Sequence, residues 1–419
     1  MTYLFDDKIS YDDTANLDAF GRLRVSQPYT LGDYKHIYGI DPNFVDVTEF
    51  GGNIQYLKSQ ACAKLSTNTH PNSNVIHQTK MYHHYMPGKS QLIKSTFNFY
   101  GNVSNTVKRT GYFDDYNGIF FEQAGDGTLS FCIRSDVSGS VSDSRKVPQS
   151  QWNVDKCDGT GLSGFNLDIS KAAIFFTDFQ WLGIGRVRCG FVHNGETIVA
   201  HEFYNDNVFN SVYMSNPNLP VRCEVRNTGT SLGANIDQIC SSVVSEGGYV
   251  ESGQDWAVVS PSLRQVTTNN TLPIIAIKLN NAFKGYENRA TVRMGSISLL
   301  SNASSIAYKL IKLPNEGNIS GGTWSNVNTN SAVQYNTGAI TFTGGEEIDN
   351  GFITAATGAG GSGKNIPGTL SPNNPSTAKK NFITQNYYSS NSEVFVIAVT
   401  NITTDTTFVT AGIQWREIY

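Results

Sequence analysis

The segment 358–364 has the residue spacing of a phosphate-binding loop. It reads Gly-Ala-Gly-Gly-Ser-Gly-Lys, the pattern whose backbone amides cradle phosphates in nucleotide-binding proteins. Its context opposes that function, because Asn365 stands where a Ser or Thr would hold magnesium, and Pro367 opposes the helix that must follow. We therefore expect the run 355–378, which is rich in Gly, Ser, Pro and Asn, to be a mobile or partner-ordered loop.

Two other groups of residues have side chains that bind metals. His83 and His84 follow His77, but adjacent residues of a strand face opposite sides of a sheet, so packing or a subunit contact is favoured over a shared ion. Asp155 and Asp158 could place oxygen ligands around calcium, although their spacing is not that of an EF-hand. Asp is also a preferred residue of tight turns, and a turn is favoured over calcium here.

The sequence contains no recognisable catalytic constellation. A glycan-cleaving sandwich needs two carboxylates that face each other across a cleft, and the best single candidate, Glu202, has no evident partner. There is no Gly-x-Ser-x-Gly elbow, and the six cysteines form no Cys-x-x-Cys pair. We expect no enzymatic activity, no catalytic residue, no cofactor and no metal, with Cys132 and Cys189 as small buried hydrophobic residues.

Composition excludes several partners. The net charge of −4 comes from 31 basic and 35 acidic residues spread along 419 positions, which leaves no basic stripe for nucleic acid. No apolar run approaches the roughly 18 residues of a membrane span, and the first residues lack the pattern of a signal peptide. Charged residues make up only 16 %, against about 25 % in an average protein. A chain with so few charged residues is suited to β-sheets and to protein–protein interfaces.

Short segments with a period of two residues predict strands through most of the chain, and long helical patterns are missing. Asn194-Gly195 between two apolar runs predicts a hairpin over 187–203 with a type I′ turn. The run 272–279 is apolar on both faces, as expected of a strand inside a two-sheet stack. The fold class is therefore all-β.

We expect three parts. Residues 1–45 are too interrupted for a core and form an extended N-terminal docking arm, 46–312 form a jelly-roll or concanavalin-like β-sandwich, and a composition shift near 312–330 opens a smaller C-terminal β-domain over 313–419. Trp152 and Trp181 are large enough to anchor the space between two sheets. The arm carries a short apolar and basic motif made of Phe20, Arg22, Leu23, Arg24 and Val25.

The stretch 17–31, Leu-Asp-Ala-Phe-Gly-Arg-Leu-Arg-Val-Ser-Gln-Pro-Tyr-Thr-Leu, resembles the opening of structural proteins of tailed bacteriophages, notably marine and cyanobacterial ones. The segments 151–153, 158–161, 180–191, 201–203 and 218–222 look like the body of the same proteins, so the resemblance spans roughly residues 15–250. It implies a virion component that is assembled in the host cytoplasm. Capsid and tail both remain open as its location, and no catalytic residue is carried over.

The sequence thus predicts a non-enzymatic appendage or decoration subunit of a phage particle. Its expected partners are other virion proteins of the capsid or tail and further copies of itself, with a trimer as the first hypothesis. The alternative is a receptor-binding tail-fibre module whose C-terminal domain contacts host surface glycan. A glycan-cleaving depolymerase on the same sandwich is the third hypothesis. Exposed aromatic rings beside acids would favour glycan binding, and carboxylates paired across a cleft would favour hydrolysis.

Overall fold

The computed structural model describes residues 28–250, 252–353, 363–366, 382–386, 388 and 391–419. The predicted docking residues Phe20, Arg22, Leu23, Arg24 and Val25 lie outside the described residues, as does most of the run 355–378. No helix in these described ranges has the length and apolar character needed to cross a membrane.

The described residues form two compact units, 28–79 with 83–250 and 80–82 with 252–419. This corrects the boundary predicted between 312 and 313. Ile306–Leu313 is a strand that pairs along its whole length with Val394–Asn401, so residues on both sides of the predicted boundary share one sheet. The predicted arm also ends earlier than residue 45, because Tyr29–Lys35 is already a strand of the first unit.

The first unit consists almost entirely of strands joined by loops. They are β1 (Tyr29–Lys35), β2 (Phe44–Glu49), β3 (Asn53–Leu57), β4 (Cys62–Ser66), β5 (Asn74–Thr79), β6 (Gln91–Asn98), β7 (Thr106–Phe113), β8 (Gly118–Gln123), β9 (Leu129–Ser135), β10 (Ser142–Pro148), β11 (Ala173–Phe179), β12 (Val187–His193), β13 (Glu196–Phe203), β14 (Val221–Asn227) and β15 (Asn235–Ser245). A 3-10 turn, Gln149–Gln151, follows β10.

These strands make two antiparallel sheets that pack face to face. Sheet 1 has the order β13-β12-β11-β6-β15-β4-β3, with β1 beside β15, and sheet 2 has the order β10-β9-β8-β7-β14-β5-β2. Side chains from both inner faces form one apolar core. The first unit is therefore a jelly-roll or concanavalin-like β-sandwich, as the period of two predicts.

The second unit is a smaller antiparallel sandwich. Its strands are β16 (Gln254–Val259), β17 (Arg264–Val266), β18 (Thr271–Leu279), β19 (Ala282–Phe283), β20 (Tyr286–Glu287), β21 (Thr291–Ser301), β22 (Ile306–Leu313), β23 (Ile319–Ser320), β24 (Ser325–Asn326), β25 (Val333–Asn336), β26 (Thr341–Phe342), β27 (Glu346–Ile353), β28 (Gly363–Ile366), β29 (Phe382–Ile383), β30 (Gln385–Asn386), β31 (Asn391–Ser392), β32 (Val394–Asn401) and β33 (Thr407–Ile418). A 3-10 turn, Glu316–Asn318, precedes β23.

Two sheets enclose the core of this second unit. Sheet 3 has the order β16-β33-β21-β28, with β17 on β33 and β29 on β21, and sheet 4 has the order β24-β25-β18-β32-β22-β27. Strand β18 lies inside sheet 4 and is buried from Leu272 to Leu279, which confirms the prediction from its apolar run. The composition shift after Lys312 marks the short strands of this unit and not a domain boundary.

The predicted hairpin over 187–203 is confirmed. β12 and β13 pair antiparallel, with His193 opposite Glu196 across the two turn residues. Asn194 and Gly195 have φ of 52° and 84°, the positive values that a type I′ turn requires and that these residue types tolerate best. The turn therefore sets the register of two strands at one edge of sheet 1.

The two tryptophans predicted as anchors occupy different environments. Trp152 is 3 % exposed and stacks on Phe131, with ring centroids 4.2 Å apart, inside the core between sheets 1 and 2. Trp181 is only partly buried and packs against the margin of that core. Its indole N–H donates to the Met214 carbonyl at 3.0 Å, which ties two loops together.

We expect Trp152→Ala to lower the free energy of unfolding of the first unit by about 3–5 kcal/mol, because it leaves a large cavity in a packed core. Trp181→Ala should cost less, since part of its ring faces solvent. Urea denaturation of the full chain, followed by circular dichroism, measures both. The transition of the second unit contains neither residue and is the control. A loss at Trp181 that equals or exceeds the loss at Trp152 would contradict this placement.

Candidate functional site

Strands β8 and β14 present apolar side chains to the core and charged ones to the opposite face of sheet 2, and β7 adds Arg109 to that face. On β14, Val221, Cys223 and Val225 belong to the core, and Arg222 and Glu224 alternate with them. Buried Arg and Glu are rare unless paired, so this outer face requires a partner for each charge. We call it the charged face, made of Arg109, Arg134, Arg222, Glu122, Glu224 and Asp143 around Phe113 and Phe120.

Arg109 is the centre of the charged face. Strand pairing places it directly opposite Glu122 on β8 and Glu224 on β14. Its Nε donates to Glu122 Oε2 at 2.7 Å and its Nη1 donates to Glu224 Oε1 at 3.1 Å. All three side chains are almost fully buried. One guanidinium therefore neutralises parts of two carboxylates, and such charge-assisted bonds are stronger than neutral ones.

Two more arginines complete the charged face. Arg222 donates to Glu224 Oε2 at 2.6 Å, and Arg134 forms a two-bond fork with Asp143 at 2.8 and 3.0 Å. Both guanidinium groups also lie over aromatic rings, Arg222 at 5.1 Å from Phe113 and Arg134 at 5.2 Å from Phe120. Each of these guanidinium cations is therefore stabilised both by a carboxylate and by the face of an aromatic ring.

The charged face is unsuited to acid–base catalysis. Burial opposes ionisation of Glu224, but the Arg222 and Arg109 guanidinium groups outweigh burial and lower the pKa of this carboxyl to about 2. Burial likewise opposes ionisation of Asp143, and Arg134 outweighs it, so its pKa is also lowered. A general acid at neutral pH needs a raised pKa and access to a substrate. Both carboxylates are ionised and bonded to cations, and Glu224 is also almost fully buried.

A second feature is a set of exposed apolar residues on the loops at one end of sheet 1, which we call the rim patch. Two loops meet there: Tyr213 N–H donates to the Gly183 carbonyl at 2.8 Å, and Asn205 Nδ2 donates to the Gly185 carbonyl at 2.5 Å. The exposed apolar residues on these loops are Leu182, Ile184, Tyr204, Val208 and Phe209. Such a grouping is typical of an interaction site, whereas single exposed apolar residues are ordinary.

Charged groups border the rim patch at Tyr204. The ring of Tyr204 is 56 % exposed, and its hydroxyl donates to Glu202 Oε2 at 2.5 Å. Glu202 also pairs with Arg186, whose Nη1 lies 3.6 Å from Glu202 Oε1. Glu202, the best lone acid of the sequence, is thus part of an aromatic and charged group at a surface.

The histidines and aspartates considered as ligands have structural partners. Among the described residues, no group of three or more His, Cys, Asp or Glu side chains is placed to hold a metal ion. Asp155 accepts the Cys157 and Ser163 amides at 2.8 and 2.9 Å, and Asp158 accepts the Thr160 amide at 2.9 Å. This geometry confirms the interpretation of these aspartates as turn residues.

The end of the phosphate-loop pattern lies on a strand. Gly363–Ile366 pairs antiparallel with Ile297–Leu300 of β21, so Lys364 stands within β28 and not at the start of a helix. Residues 354–362, which contain the rest of the pattern, lie outside the described residues. A phosphate cradle of this type uses a helix N-terminus directly after its loop.

Sequence reasoning missed the charged face. For Arg186, Arg188 and Arg222 the sequence favours an intrachain ion pair or an exposed position over a contact between subunits, and the structure pairs each within the chain. The signal that identifies the charged face is a charged residue at every second position of a strand whose other positions are apolar, as in Arg222 to Arg226. Arg109 carries no such local signal, because its partners lie on other strands.

Comparison with known proteins gives only distant structural likeness. No protein-family model and no curated protein matches the sequence. The chain is similar to a potassium-bound carbohydrate recognition domain of Emp46p (TM-score 0.30, 9 % identity, 53 % of this chain and 98 % of that one). It is also similar to a Bauhinia forficata lectin in complex with GalNAc (0.31, 9 %, 51 % and 97 %) and to a β-1,3-glucanase from Mycobacterium marinum (0.33, 13 %, 51 % and 98 %). TM-scores this low carry no argument about function.

We expect Glu224→Gln to destabilise the first unit by about 3–5 kcal/mol at neutral pH, because it removes the buried anion that Arg109 and Arg222 share. Since the folded pKa is depressed, the contribution of Glu224 is present above its ordinary value of 4.5 and is lost as pH falls to about 2. The difference between wild type and variant should therefore shrink over that window. Denaturant unfolding at several pH values measures it, with the exposed Glu196→Gln as control. A pH-independent difference would contradict the account.

Proposed function

We propose that this protein is a non-enzymatic structural subunit of a tailed-bacteriophage particle that attaches to other virion proteins through the rim patch. The observation that carries the proposal is the location of the resembling segments. Two of the segments that resemble phage structural proteins, 180–191 and 201–203, contribute Leu182 and Ile184 of the rim patch and lead directly into Tyr204. The most distinctive part of the sequence thus surrounds an exposed surface, as a contact role requires.

The charged face supports the absence of catalysis. A retaining or inverting glycosidase needs one carboxyl group that holds a proton and a second that is ionised, on either side of a cleft. Here Glu122 and Glu224 bind the same guanidinium and are almost fully buried. Their cost of burial is offset by ion pairing within the sheet. This arrangement suits a rigid body better than an enzyme.

The rim patch is tested by incorporation into particles. We expect the double variant Ile184→Asp, Val208→Asp to fold normally and to be depleted from purified particles, because two charges placed in an apolar contact disrupt it. Leu162→Asp with Leu232→Asp, at two exposed leucines outside the rim patch, is the matched control. Quantitative mass spectrometry of purified particles gives copy number, and a melting curve reports folding. Normal incorporation of the first variant would refute the proposal.

The same particle-incorporation assay also tests the predicted docking arm. Deletion of residues 1–27 leaves β1 in place, whereas deletion of 1–40 removes a strand that pairs with β15 from Tyr29 to Lys35. The shorter deletion should retain a folded body and reduce incorporation if the arm docks. It therefore separates the role of the arm from the role of the sandwich.

A second candidate function is contact with a host surface glycan at Tyr204. An exposed aromatic face can pack on the CH groups of a sugar, and the neighbouring Glu202 and Arg186 can bind its hydroxyl groups. We propose this sugar contact in the first unit, whereas the sequence alone favours the C-terminal domain.

For the glycan function, Tyr204→Ala should abolish adsorption of the purified protein to host cells, whereas Tyr286→Ala, at a more exposed tyrosine of the second unit, should not. Competition with free host polysaccharide identifies the ligand as glycan. Adsorption that is the same in wild type and Tyr204→Ala would remove this candidate and leave the structural function unaffected.

A further inference from the structure

Two fully buried histidines lie close together where the chain passes from sheet 1 to sheet 2. His36 directly follows β1, and His77 lies on β5. Both are 0 % exposed, and their ring centroids are 5.3 Å apart. Phe44 of β2 stacks on His77 at 4.0 Å and also contacts His36. Neither histidine has a role in the charged face or in the rim patch.

The hydrogen bonds of His36 define its protonation state. Its Nε2 bonds with Gln238 Oε1 of β15, and Gln238 uses its own Nε2 to donate to Ser241 at 2.9 Å. His36 Nε2 must therefore carry the proton. Its Nδ1 accepts the backbone N–H of Asp41 at 3.0 Å, so this nitrogen must be unprotonated. A second proton can bind His36 only at Nδ1. There it would face the hydrogen of the Asp41 N–H.

That bond closes a short exposed loop. Residues 37–40 lie between His36 and Asp41, and Phe44 N–H donates to the Asp41 carbonyl at 3.1 Å where β2 begins. Ile37 and Tyr38 project from the loop, and Tyr38 is 100 % exposed. The Tyr56 hydroxyl donates to the Ile37 carbonyl at 2.5 Å. The buried imidazole thus holds the base of a loop that presents an apolar tip.

The other titratable groups around His36 come from each element packed against it. Asp33 and Tyr34 lie on β1, Asp41 in the loop, Asp46 on β2 and His77 on β5, and β15 contributes the neutral Gln238. His77 Nδ1 lies 2.5 Å from Asp46 Oδ1, so this carboxylate is already engaged with a second imidazole. A third histidine, His83, hydrogen-bonds to the Tyr34 hydroxyl at 2.8 Å and to the Leu219 carbonyl at 3.1 Å.

We propose that His36 is an acid-sensitive latch. Protonation of its Nδ1 breaks the hydrogen bond from the Asp41 N–H and releases the loop 37–43 from the sandwich. Two donors then face each other in a buried site, and a positive charge lies beside His77, where the Asp41 and Asp46 carboxylates offset only part of the cost of burial. The released loop carries Ile37 and Tyr38 with it. A virion subunit with this device would change its contact surface in an acidic environment.

The sign of the pH effect follows from the surroundings. Burial lowers the pKa of His36, the bond to Gln238 opposes this shift, and the neighbouring His77 adds to it. In the open loop the imidazole returns toward its ordinary value of 6.5. The closed loop is therefore fully favoured above 6.5 and loses stability as pH falls from there to the depressed value. Over that window the open population rises roughly tenfold for each pH unit.

Amide hydrogen exchange of the full chain tests the latch between pH 7.5 and 5. Protection factors of the amides 37–44 should fall roughly tenfold per pH unit below 6.5 in the wild type. In His36→Asn an uncharged amide oxygen accepts the Asp41 N–H, and protection should not depend on pH. His70 is the matched control, because its Nδ1 also accepts a backbone N–H, from Asn72 at 3.2 Å, but at an exposed position. His70→Asn should behave as wild type.

Wild-type protection that does not change with pH, or a pH-dependent loss that persists in His36→Asn, would overturn the proposal. Nitrogen chemical shifts of the wild-type imidazoles keep it falsifiable if the variant does not fold. The pH midpoint of the His36 titration must then equal the pH midpoint at which the amides 37–44 lose protection. Two separate midpoints would also overturn the latch.

Discussion

The bonds from Arg109 to Glu122 and Glu224 are the interaction on which the main sandwich depends. An isolated charge in a dry interior costs several kcal/mol, so the outer face of sheet 2 is stable only when each carboxylate has its guanidinium. Cross-strand pairing meets this need, because Arg109 lies opposite both acids. A slip of one residue between these strands would move the charges into the apolar core and the apolar side chains outward. Charge pairing and core packing therefore specify the same register.

The sequence was informative where the signal was local. The turn residues Asn194 and Gly195 and the apolar run of β18 predicted a hairpin and a buried strand that the structure confirms. The division of the chain was not predictable from composition, because the shift after Lys312 reflects short strands inside one sheet. The charged face was missed for a related reason. Its central pair, Arg109 with Glu224, joins residues 115 positions apart, and the register that brings them together is set by tertiary packing.

The two faces of the first unit have different consequences for function. The charged face is satisfied internally: Glu224 is ionised and bonded to Arg222 and Arg109, and it has no proton to give at neutral pH. The rim patch is the opposite case, since Ile184, Val208 and their neighbours leave apolar area in solvent. We propose that this apolar surface serves a structural subunit of a larger assembly. The His36 loop adds a contact element whose shape responds to acid.

If the chain is an assembled structural subunit, as we propose, cryo-electron microscopy of the phage particle should show it. At a resolution that shows separate strands, the first sandwich can be placed unambiguously by the order of its two sheets. We expect density for this subunit at regular positions on the capsid or tail, with the rim patch against a neighbouring virion protein. Particles that lack the subunit, or that hold it with the rim patch facing solvent, would refute the proposal.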